Sequence, residues 1–167
     1  VPTPSNHERS GYSPVDPDID IREPAQRAEL SRTHGAVLAV IAFGGALGAL
    51  ARFALITLWP TPPGGFPWPV FGINIAGGFA LGVLMTILTE IRPAHPLVRP
   101  FLGTGVLGGF TTFSTYAGDT HALLRPGSAL TAIVYVFATL VGVLLAVAAA
   151  TGLARRVHLA LRAEVAA

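Results

Sequence analysis

Four stretches of this 167-residue chain are long and nearly free of charge, and no other feature limits its fold so tightly. A hydrocarbon core about 30 Å thick needs roughly 20 residues of helix to cross it. Residues 35–59 (GAVLAVIAFGGALGALARFALITLW) carry a single charge, Arg52, and residues 69–89 and 128–154 carry none. Residues 100–118 (PFLGTGVLGGFTTFSTYAG) are also uncharged but crowded with glycine and hydroxyl side chains. Hydrophobic residues make up 51% of the chain and charged residues 12%, against about 25% charged in average soluble proteins. A soluble helical core is the rival class, yet four such runs leave almost no polar surface to cover them. The sequence therefore predicts an all-α, multi-pass membrane protein of four transmembrane helices, with its spans in residues 34–156.

The flanks read differently. Residues 1–33 hold five prolines among mixed charges and bury too little apolar area to offset backbone ordering, so a disordered polar tail is expected there. A short amphipathic helix over Glu23–His34 is the alternative. The tail lacks the apolar core and cleavage pattern of a secretory signal. Residues 157–167 read as a C-terminal tail. Between spans, the prolines and glycines of 60–68, Pro93 and Pro96, and the segment Arg125–Gly127 mark turns.

Several function classes lose ground at once. Net charge is +2 with arginines scattered along the chain, which argues against a nucleic-acid surface. The absence of cysteine removes disulfides and thiolate chemistry. Glu90, Asp119, His95 and His121 fall near span ends, the two histidines on opposite sides. Ser114 lies in a hydroxyl cluster with no histidine or carboxylate beside it, so the chain is not expected to be an enzyme. The glycine pairs Gly44/Gly48, Gly78/Gly82 and Gly105/Gly109 are four apart, the spacing that lets membrane helices approach closely.

The segment Gly108–Tyr116, GGFTTFSTY, carries the most information. Two glycines and four hydroxyls midway through a span are a liability unless protein or water satisfies the backbone. A break near Gly108–Thr112 is expected. It is either a packed, hydroxyl-bonded kink or an unwound point that frees carbonyls for a cation and amides for an anion. Asn74 is a buried amide that serves either as an anion donor or as helix-to-helix glue. Arg52 either reaches a vestibule or snorkels to the interface.

Together these residues resemble the Fluc (CrcB) fluoride channels. GGFTTFSTY is close to the third-span signature of that family, while GGALGALARF (Gly44–Phe53) and NIAGGFALG (Asn74–Gly82) resemble its first and second spans. The resemblance implies a dual-topology dimer, two chains inserted in opposite senses and crossing at their broken third helices, with two pores. It implies a structural sodium ion at the dimer centre held by the carbonyls of Gly108 and Thr111. Phe113 and Tyr116 take the positions of two pore phenylalanines. Asn74, Ser114 and Thr115 supply hydrogen bonds, Arg52 a positive charge near an entrance, and Tyr135 and Thr139 a polar track on the fourth span. Asp119 stands where glutamate is usual. Tyr116, Gly78 and Val143 depart from the pattern, the last two replacing serines.

The implied function is passive export of fluoride across the plasma (inner) membrane. Fluoride is small and strongly hydrated, so a narrow path must replace water with several weak contacts. Arg92, Arg99, Arg155, Arg156 and Arg162 lie on one side against Arg125 on the other. That asymmetry favours one orientation, so the partner is either a second copy or an oppositely inserted homologue. The alternatives are a four-helix small-solute exporter of the carrier class and a membrane scaffold without transport.

Overall fold

A computed structural model describes residues 35–91 and 94–166. The expected tail over 1–33 and the alternative helix over Glu23–His34 lie outside the described residues. The described elements are all helical. Helix α1 spans Gly35–Leu58. Helix α2 spans Trp68–Thr86, begins with proline in its first turn and runs on as a wider π-type coil over Ile87–Ile91. The third stretch starts as a π-type coil, Arg99–Leu107, and adds one α turn, Gly108–Phe110. After an interruption it resumes as α3, Ser114–Leu123. Helix α4 spans Ala129–Ala166.

Three helices are long and apolar enough to cross a bilayer: Gly35–Leu58, Trp68–Ile91 and Ala129–Glu164. The interruption leaves neither half of the third stretch long enough alone. The 38 residues of α4 rise about 57 Å, well beyond a bilayer core. The segment from residue 157 that reads as a tail therefore continues the last helix. Leu, Ala and Arg are strong helix formers, and the charges at Arg155 and Arg156 do not end a helix as proline or glycine does. The turn before α4 does use glycine: Gly127 has φ +94°, and the Ser128 amide bonds the Arg125 carbonyl at 3.1 Å.

Glycines set the packing of the spans. A Cβ on Gly44 would lie 2.6 Å from the Phe101 carbonyl oxygen, and one on Gly48 would strike the Val106 carbonyl. From the other side, a Cβ on Gly109 would strike the backbone of Gly45. Helix α1 thus lies backbone to backbone on residues 99–110, a contact that only residues without side chains permit. Helix α2 runs beside α4 in the same direction: Gly78 faces Val143 and Gly82 faces Val147 and Ala150. At one end, Val70, Leu123, Ala132 and Tyr135 form a buried cluster under Phe66 and Phe71. At the other, Arg155 of α4 grips Glu90 by two bonds, Nε to Oε2 at 2.7 Å and Nη2 to Oε1 at 2.6 Å. The outward faces are apolar, with Phe43, Phe53, Leu130 and Phe137 each more than 60% exposed. Such surface suits lipid or another protein and not water.

Candidate functional site

The helical ladder of the third stretch stops at Thr111, whose amide and hydroxyl both bond the Leu107 carbonyl at 2.9 Å. Thr111 itself is extended, with ψ 158°. The ladder restarts where the Ala117 amide reaches Phe113. The interruption therefore lies at Thr111–Phe113, later than the expected onset at Gly108, because Gly108–Phe110 still completes a turn.

Asn74 of α2 closes the gap. Its Nδ2 donates to the Thr112 carbonyl at 3.0 Å, and its Oδ1 accepts the Thr112 amide at 2.9 Å. The side-chain amide pairs with the exposed peptide as a neighbouring strand would. One turn along the same face of α2, Gly77 makes room: a Cβ there would strike the Thr111 methyl. The Asn-x-x-Gly spacing thus has a mechanical reading, one residue to bond the break and one to admit it.

Thr112 is the hub that sequence reasoning passed over. It is 7% exposed, its Oγ1 accepts the Thr115 amide at 3.1 Å and donates to the Thr115 hydroxyl at 3.0 Å, and the Ser114 hydroxyl lies 3.3 Å away. A threonine whose hydroxyl takes the amide three residues on is a helix-capping arrangement, and the Thr-x-x-Thr spacing was its visible signal. The carbonyls of Gly108 and Thr111 are among those that lose their usual helical donors at the break. The Thr112 amide turns to Asn74 and leaves Gly108, and the Thr115 amide turns to Thr112 and leaves Thr111.

The break opens on a cavity of about 500 Å³. Asn74, Phe113, Tyr116 and Thr139 line it together with Gly108 and Thr111. Phe113 is 79% exposed, its ring 5.8 Å from that of Tyr116. The Tyr116 ring lies tilted against that of Tyr135, centroids 5.2 Å apart, and its hydroxyl donates to the Val136 carbonyl at 3.3 Å, so the extra oxygen of this tyrosine is bonded to α4. The Thr139 hydroxyl is buried with no partner among the described residues, whereas the Tyr135 hydroxyl and the Asp119 carboxylate, both buried, face each other. Tyr135 and Thr139 are one turn apart on α4. Ser114 and Thr115 are bonded to Thr112 and do not line the cavity. Arg52 is half-buried on α1 and outside the cavity lining, but it shares the face of Gly44 and Gly48. The register of that packing places it one turn on, level with the break. Among the described residues no three His, Cys, Asp or Glu side chains converge as a metal cluster.

The family model described as CrcB-like protein, Camphor Resistance (CrcB), matches residues 39–152, from α1 across the break and into α4. The chain belongs to the CrcB family. Among its CrcB relatives, a protein of Streptomyces coelicolor named fluoride-specific ion channel FluC 1 is 56% identical over 126 residues, 75% of this chain and 82% of that protein. Fluoride-specific ion channel FluC 2 of Streptomyces avermitilis is 51% identical, covering 75% of this chain and 79% of its own length. The FluC 2 protein of Thermobifida fusca is 53% identical over 70% of this chain and 86% of itself. The matched CrcB region contains Asn74, the break, and the buried hydroxyls of Tyr135 and Thr139 on α4.

Proposed function

We propose that this CrcB chain is a fluoride-selective channel that lets fluoride leave the cytoplasm passively across the plasma membrane. The observation that carries the reading is the cavity at the break, where aromatic rings, an amide and a buried, unpartnered threonine hydroxyl meet without a trapping charge. Fluoride needs donors and electropositive ring edges in place of its water. Phe113 offers a free ring edge, Thr139 a hydroxyl with no other use, and Asn74 a second amide proton beyond the one given to Thr112. Tyr135 extends the track by a turn, Ser114 and Thr115 fix the cap that shapes it, and Arg52 raises the potential for an anion near the break.

The third stretch counts as a fourth span whose two halves cross the bilayer together. The assembly is a dual-topology dimer of this chain with a second copy or an oppositely inserted homologue. Phe113 supports this, since a large ring 79% exposed beside an open cavity suits a partner that completes the wall. The carbonyls of Gly108 and Thr111, deprived of their helical donors, fit a structural sodium ion at the centre of that dimer. Such an ion supplies positive charge that locks the two breaks together. A carrier needs a membrane-embedded carboxylate to couple protons; Glu90 is exposed and paired with Arg155, which leaves Asp119, half-buried on α3, as the acid that reading would rest on.

Efflux from proteoliposomes tests the reading. A channel gives fast, voltage-sensitive loss of fluoride while chloride stays inside. Slow coupled exchange would favour the carrier, and no flux the scaffold.

A further inference from the structure

We propose that Val143, seated against Gly78, is the barrier that sets the rate of fluoride passage along the cavity. The inference rests on the channel reading above. Tyr135, Thr139, Val143 and Val147 follow one another at four-residue steps on one face of α4, and the last three line the cavity. The first two carry buried hydroxyls, that of Thr139 without a partner among the described residues and that of Tyr135 facing Asp119. The next two carry no polar atom. From Thr139 to Val147 the helix rises about 12 Å, so the ladder of donors ends while the cavity goes on.

The opposite wall offers no replacement. Asn74 sits at the polar end, and the next turn of α2 presents Gly77 and Gly78, then Leu81. A Cβ on Gly78 would lie 3.0 Å from Val143 Cγ1, so the valine already fills the space a hydroxyl-bearing side chain at 78 would need. Leu107 and Leu144 complete the apolar end. On this chain a small, strongly hydrated anion therefore finds side-chain donors as far as Thr139 and then the apolar side chains of Leu81, Leu107, Val143, Leu144 and Val147. Desolvation without replacement is where its free energy peaks.

Threonine has the shape of valine and exchanges one methyl for a hydroxyl, and Thr139 on the same face keeps its own hydroxyl unbonded to the backbone. Val143→Thr should speed fluoride efflux from proteoliposomes roughly threefold to tenfold, the range one added hydrogen bond supplies. Val143→Ile, which thickens the same wall, should slow it. The order Thr, Val, Ile in electrode-recorded efflux supports the proposal. A threonine variant that elutes like the parent and conducts no faster overturns it. Should the threonine variant fail to elute like the parent, the isoleucine variant decides, slower efflux supporting the barrier and an unchanged rate overturning it. A parent protein that passes no fluoride at all overturns the channel reading itself, which distinguishes that failure from this one.

Discussion

The third and fourth hydrophobic stretches use their polar atoms in opposite ways. In α4 the backbone is bonded along 38 residues, and it is a side chain, Thr139, that is left with an unpartnered hydroxyl among the described residues. In the third stretch the hydroxyls of Thr111 and Thr112 are spent on backbone, and it is the carbonyls of Gly108 and Thr111 that lose their helical donors. On the proposed reading, one stretch would offer donors to a passing anion and the other acceptors to a cation, since polar groups within a membrane need something to meet them.

The largest expected effect breaks the frame that holds both stretches in place. Gly109→Val drives a side chain into the Gly45 backbone, which cannot yield as a side chain does, and should cost at least about 3 kcal/mol. Folded protein should be lost on gel filtration in detergent. Asn74→Leu comes next. It strips both partners from the Thr112 peptide, and each buried group left unsatisfied costs about 1–3 kcal/mol, so the thermal midpoint should fall sharply and flux should vanish. Asn74→Asp sharpens the point, since a carboxylate oxygen would face the Thr112 carbonyl and the anion path together. Wild-type flux in that variant would mark Asn74 as packing glue only.

A matched pair then compares the two stretches directly. Thr112→Val removes a cap and should destabilise by about 1 kcal/mol. Thr139→Val removes a hydroxyl with no partner, which is neutral or stabilising on the same argument, yet it should cut fluoride efflux. Equal loss of stability in both would erase the distinction. The smallest effect belongs to Arg155→Ala. The pair with Glu90 is solvent-exposed and screened, and the thermal midpoint should not move measurably.

Much of this contrast was legible beforehand, for identifiable reasons. Long apolar runs fix helices whatever their neighbours, and glycine spacing fixes close approach, so α1, α2, α4 and their packing followed from pattern alone. The interruption followed from GGFTTFSTY, although its onset did not: whether Gly108–Phe110 keeps one more turn depends on the Leu107 carbonyl finding Thr111, a detail that residue type does not encode. The partner of Asn74 was equally hidden, because an amide in a span bonds whatever tertiary packing brings to it. The hydroxyl of Tyr116 went to Val136 for the same reason. The helix of α4 runs through the segment from residue 157, because a change from apolar to charged residues bounds the lipid-facing part of a helix without stopping the helix.

Phe113→Ile offers the most direct test, because a ring 79% exposed contributes little to the packing of its own chain and, on the proposed reading, would line the anion path. The measurement is fluoride and chloride efflux from proteoliposomes holding parent or variant at equal dimer content. The account predicts rapid fluoride loss with chloride retained for the parent, and no fluoride loss for the variant. Equal fluoride efflux from both, or chloride leaving as fast as fluoride, would contradict it.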